Sequence, residues 1–176
     1  KDSDSSSGSL KMNFSAPATA LDYLAKDEVL TLTYTVEVDD GDGGITPQTF
    51  EVNITGTNDV PIITASDVIG VITEGSVLAD SGAITFADVD LNDRPQATKV
   101  VKSLVALKAN GTSLTLTPEQ SAQIVAGFSI LQDPSTNNGK VNWTYAIPEL
   151  HIDFLAAGEK VSLLETITVD DGKGGV

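Results

Sequence analysis

Val29-Leu30-Thr31-Leu32-Thr33-Tyr34-Thr35-Val36-Glu37-Val38-Asp39-Asp40-Gly41 decides the fold. Leu30, Leu32, Tyr34, Val36 and Val38 alternate with Thr31, Thr33, Thr35 and Glu37, the period of a strand with one buried face. Phe50, Val52 and Ile54 resume the alternation after Gly43-Gly44 and Pro47, so the two runs read as a hairpin closed by an Asp/Gly loop. The stretch also recurs. Setting the chain on itself at an offset of 131 places residues 2–45 on 133–176 without a gap, and 12 of the 24 pairs within 21–44 are identical. The sequence is therefore a repeat of period about 131 and spans about one and a third units.

Further elements follow from the same reading. Leu10, Met12 and Phe14, matched by Val141, Trp143 and Tyr145, predict another short strand, and Ile84 with Phe86 predicts one more. Thr117-Pro118-Glu119-Gln120 supplies an N-cap residue, proline at the first helical position and glutamine three residues after the cap, so one short helix interrupts the second unit, with Gly127 ending it and Ile124, Val125 and Phe128 facing the sheet. Asp2 to Ser9 reads as a polar turn or frayed end. Glu165 sits on the apolar parity of its strand, where the other copy has Tyr34, and the pattern offers no reason for it.

Composition narrows the chemistry. The 176 residues carry a formal charge of −15, with 17 Asp, 8 Glu, one histidine and no cysteine. Without cysteine there is no disulfide, zinc-thiolate site or thiol nucleophile. His151 alone cannot supply a two-histidine metal site, and its counterpart in the other copy is Ala20. Ten dispersed cations form no basic stripe, so nucleic acid is not an expected partner. No apolar run approaches the roughly 20 residues of a membrane span, and no leader-like segment opens the chain, which reads as an excised soluble piece without membrane insertion.

Ile54-Thr55-Gly56-Thr57-Asn58-Asp59-Val60-Pro61 reads as a junction: a strand ends, polar residues follow, and proline forces an extended exit. The boundary falls near Asp59, giving 1–59 as the C-terminal part of one unit and 60–176 as the next unit without its last strand. With Trp143-Thr144-Tyr145, Leu155-Ala156-Ala157-Gly158-Glu159, Val169-Asp170-Asp171-Gly172-Lys173-Gly174-Gly175 and Thr85-Phe86-Ala87-Asp88-Val89-Asp90-Leu91-Asn92-Asp93, this segment resembles the successive signatures of the VCBS repeat. The resemblance implies an all-β fold, a cadherin-like or immunoglobulin-like Greek-key β-sandwich, in arrays that build large RTX-type bacterial surface adhesins. The RTX calcium nonapeptide itself is absent from the sequence.

That resemblance also implies a place for the aspartates. Loops of a sandwich gather at its two poles, and the family's junction would bring Glu28 of the first unit and the linker pair Asn58 and Asp59 to Asp88, Asp90 and Asp170 or Asp171 of the second. Carboxylates a few ångströms apart repel by on the order of 1 kcal/mol per pair in water and about four times that near a protein surface. A cation is expected among them. Calcium accepts six to eight oxygens and suits Asp, Asn and Glu without nitrogen or sulfur. Glu74 and Glu159 would be the matching lower-pole ligands of the second unit, and Asp39, Asp40 and Asp42 upper-pole residues of the first. An EF-hand starting at Asp40 fails on spacing, since Ile45 stands where the sharp turn needs glycine.

The expected function is non-enzymatic: a calcium-stabilised extender repeat on a bacterial cell surface, secreted, serving adhesion and biofilm formation, with neighbouring repeats of the same chain as partners. The alternative is a module that itself grips carbohydrate or protein through Thr31, Thr33 and Thr35, or through Trp143 and Tyr145. Paired acids such as Asp88 and Asp90, flanked by loop residues, lack the apolar pocket an acid catalyst needs. Because the second unit lacks its closing strand, residues 49–55 are expected to take that place, within the chain or in a strand-exchanged dimer.

Overall fold

The computed structural model describes residues 8–174. Strands make up 46% of the structure, in antiparallel sheets with one helix, an all-β fold. Strands β1 (Val29–Asp39) and β2 (Ile45–Thr55) form the hairpin that the alternation predicts, in register from Val29 opposite Thr55 to Asp39 opposite Ile45. Gly41 and Gly43, at φ 82° and 95°, turn the loop between them. Pro47 lies inside β2, opposite Glu37, and is tolerated because β2 is an edge strand.

The remaining strands are β3 (Ile62–Ser66), β4 (Ala79–Ala87), β5 (Gln96–Leu107), β6 (Phe128–Gln132), β7 (Asn138–Ala146) and β8 (Lys160–Asp170). They make a four-stranded sheet in the order β3-β4-β7-β6 and a two-stranded sheet β5-β8. Ile84 and Phe86 of β4, Val141 of β7 and Val169 of β8 form one buried cluster, with Ala97 of β5 and Ile130 of β6 against it, so both sheets contribute to a common core. A second cluster, Ile124, Ile147 and Ile152, receives Leu104, Val161 and Leu163 from the β5-β8 sheet. On β4, Gly82 faces Trp143 of β7, and a Cβ at that position would lie 2.6 Å from the indole.

The helix α1 (Pro118–Ala126) forms as its sequence predicts, with a complete capping box between Thr117 and Gln120. Ile124 is its buried residue, whereas Phe128 belongs to β6. Gly127 ends the helix in a right-handed conformation, φ −66°. Its small size is needed instead for packing, since a Cβ would stand 2.9 Å from the carbonyl oxygen of Ala146.

Segments 131 residues apart share their local geometry. Three-residue 3-10 turns occupy Ala18–Ala20 and Glu149–His151, each followed by a residue at φ −124°, ψ −6°. Strands β1 and β8 keep the same offset. Glu28 and Glu159 each accept a bond from the backbone N–H three residues before them, both at 3.0 Å. Asp27, the single non-glycine residue at positive φ among the described residues, at 65°, corresponds to Gly158 at 82°.

Two expectations are corrected. Leu10, Met12 and Phe14 lie in no strand and are 66%, 48% and 44% exposed. Their counterpart β7 is held between β4 and β6, and this sequence contains no equivalents of those strands for residues 10–14. Residues 49–55 do not close the sheet beside β8 within the chain: among the described residues β2 pairs with β1 only and β8 with β5 only. The expectation for Asp2 to Ser9 lies, up to residue 7, outside the described residues.

Candidate metal centre

After β4 the chain crosses to β5 through Asp88-Val89-Asp90-Leu91-Asn92-Asp93, and the loop folds on its own aspartates. The Asp90 N–H donates to Asp88 Oδ1 at 3.0 Å, the short-range turn bond that aspartate favours. The Asp93 N–H donates to the Asp90 carbonyl at 3.2 Å, and the backbone of Asp88 is pinned to Asn137 through bonds of 3.1 and 3.0 Å. The apolar members turn outward, with Val89 and Leu91 47% and 56% exposed. The three carboxylates turn inward: Asp88, Asp90 and Asp93 are 2%, 0% and 1% exposed.

Two distant segments close over this loop. From the linker, the Asp59 N–H donates to Asp90 Oδ2, and the Asn58 side-chain amide donates to Asp171 Oδ2, both at 2.9 Å. From the segment before β1, the Tyr23 carbonyl accepts the Leu91 N–H at 3.2 Å, and Glu28 Oε1 accepts the Asn92 amide. Beyond β8, Lys173 forms an ion pair with Asp93, while its own N–H donates to Asp171 Oδ1 at 2.6 Å.

Asp88, Asp93 and Asp171 offer carboxylate oxygens that all lie within 4.8 Å of one another. Four buried oxygens, Asn58 Oδ1, Asp88 Oδ2, Asp90 Oδ1 and Asp93 Oδ2, have no hydrogen-bond partner. Unsatisfied buried acceptors, three of them on carboxylates, are costly. Burial raises the Asp88 carboxyl above its ordinary range, with the charges of Asp90, Asp93 and Asp171 adding to it. Burial likewise raises Asp90, with Asp93 and Asp59 adding and the Asp59 N–H opposing. Asn92 and the Ala25 N–H hold Glu28 below its ordinary value, and Asp93 holds Lys173 above its own. The donor set is oxygen only, with carboxylates and one amide carbonyl, and it fits a hard divalent cation.

Of the residues expected from the sequence, Asp88, Asp90, Asp171 and Asn58 come together with their side chains, and Asp59 joins through its backbone. Glu28 touches the site by way of Asn92, with both oxygens already bonded. Asp170 instead accepts the Gly172 N–H in the turn that follows β8. Glu74 groups with Glu149 and Asp153, which the sequence had not singled out, while Glu159 caps its own turn. Asp39 and Asp40 accept backbone N–H groups of their own loop, and Asp42 stands exposed beside them.

Sequence reasoning missed Asp93 as a member and Lys173 as its partner. The spacing Asp88-x-Asp90-x-x-Asp93 was the available signal for the first, and the charge reversal between Asp42 and Lys173 for the second. Glu165 keeps both oxygens buried without a hydrogen bond, and the structure shows no reason for its place on β8. Trp143 is 4% exposed and donates its indole N–H to the Asp67 carbonyl, so it presents no open face to a ligand. In comparisons with known proteins, no family model matches the chain and no curated protein matches it.

Proposed function

We propose that the chain is a calcium-stabilised, non-enzymatic extender segment of a bacterial cell-surface adhesin, built from VCBS-like units with a cadherin-like, immunoglobulin-type β-sandwich fold. The observation that carries the metal is the set of four partnerless buried oxygens on the linker residue Asn58 and on Asp88, Asp90 and Asp93 of the following loop. The sandwich reading draws support from the core shared by the β3-β4-β7-β6 and β5-β8 sheets. The adhesin reading rests on the sequence resemblance and on matched local geometry 131 residues apart.

A bound divalent cation would supply the positive charge that this acidic junction lacks. Asp88, Asp93 and Asp171 would hold it by carboxylate oxygens, Asp90 by its remaining oxygen and Asn58 by its amide carbonyl. Asp59 positions the linker by donating its N–H to Asp90, and Glu28 with Asn92 ties the segment before β1 to the same loop. Loaded, the linker would be tied to the following unit, and stiffness at each junction is what a linear array needs to hold a tip away from a cell. Among the described residues no helix is long and apolar enough to cross a membrane.

Isothermal titration with calcium, paired with melting curves in calcium and in chelator, tests this function. Binding with a rise in melting temperature is expected. Identical melts and no heat of binding would remove the calcium function.

A further inference from the structure

We infer that Lys173 is a resident counter-cation of the acidic junction, that a bound divalent cation must displace its ammonium from Asp93, and that the residue at this position therefore sets the affinity of the site. The inference rests on the calcium reading above and names the residue that tunes it.

Three observations point the same way. The ammonium of Lys173 pairs with Oδ1 of Asp93, one of the three carboxylates whose oxygens converge within 4.8 Å. A second cation in that space meets the positive charge of the ammonium and competes for the same carboxylate, and in a partly desolvated site such repulsion is strong. The two partners also differ in freedom. The Asp93 side chain is 0% exposed, whereas that of Lys173 is 34% exposed, so the ammonium has a path to solvent and the carboxylate does not. The Lys173 backbone N–H donates to Asp171 Oδ1, which fixes the root of the side chain beside the site and leaves its end to be displaced.

The position is also a point of divergence between the copies. Asp39-Asp40-Gly41 and Asp170-Asp171-Gly172 are identical, and the next residue is Asp42 in one and Lys173 in the other. One loop thus carries a carboxylate where its counterpart carries an ammonium. In the calcium-free chain Lys173 offsets part of the repulsion among Asp88, Asp90 and Asp93, which keeps the loop closed at the expense of affinity.

The test compares the full chain with Lys173→Gln and Lys173→Asp by calcium titration at pH 7, with circular dichroism to show that each folds. Lys173→Gln is expected to bind calcium about tenfold more tightly and Lys173→Asp more tightly still, while both melt a few degrees lower in chelator. Calcium binding by the unsubstituted chain that neither variant improves beyond twofold overturns this inference and leaves the calcium function standing. Absence of binding in all three chains overturns both.

Discussion

The backbone N–H of Asp59 donates to Oδ2 of Asp90 at 2.9 Å, joining a linker residue to a fully buried carboxylate 31 positions further along the chain. The second oxygen of Asp90 is buried with no hydrogen-bond partner. One carboxylate is thus half committed to fixing the linker and half available to a cation.

Asp90→Asn separates those two roles. The amide oxygen can keep the bond from Asp59 while the buried charge is lost, so calcium affinity is expected to fall at least tenfold, with no loss of melting temperature in chelator. Asp59→Ala leaves its N–H in place and should weaken binding less, through loss of charge alone. Titration calorimetry and melts of both variants check this; an Asp90→Asn chain that binds calcium like the parent contradicts it.

The pH dependence should change sign with calcium. Burial raises Asp88 and Asp90 above the ordinary value of 3.8, so without calcium these two groups take up protons more readily in the folded chain than in the unfolded one. Their contribution to the stability of the calcium-free chain should therefore rise as the pH falls from neutrality toward 3.8, through the raised folded-state values. Glu28, Asp40, Asp80 and Asp133, whose values are lowered, act in the opposite sense, and only as the pH nears their ordinary values of 4.5 and 3.8. With saturating calcium the same protons compete with the cation, and stability should fall over the same range. Melting curves at several pH values, in calcium and in chelator, give the two slopes.

Backbone conformation gives a prediction independent of metal. Gly158 sits at φ 82° and its counterpart Asp27 at 65°. Gly158→Ala is expected to cost about 1 kcal/mol, and Asp27→Gly to be neutral or stabilising. Denaturant unfolding measures both changes.

Packing between β4 and β7 gives another. A Cβ at Gly82 would meet the Trp143 ring at 2.6 Å, and the indole is held by its bond to Asp67. Gly82→Ala should destabilise by about 1–3 kcal/mol and alter the tryptophan emission spectrum.

The hairpin and helix were legible because their signals are local: clean alternation from Leu30 to Val38, and a capping box at Thr117. Strand β5 was not, because its register shifts between Val101 and Ser103 and breaks the parity of its apolar residues. Leu10 to Phe14 carries a strand pattern without its strand neighbours, and alternation alone cannot report that. At the junction the residue types were readable, whereas the meeting of Asn58, Asp88, Asp90 and Asp171 was expected only from the family resemblance. The burial of Asp93 and its pairing with Lys173 depend on how three distant segments close, which no single stretch encodes.

Calcium titration followed by small-angle X-ray scattering tests the central claim most directly, since it reports binding and the set of the linker together. Saturable binding at pH 7, with a narrower distribution of interatomic distances in calcium than in chelator, is the predicted result. Superimposable scattering curves in calcium and in chelator, with no binding heat, would contradict it.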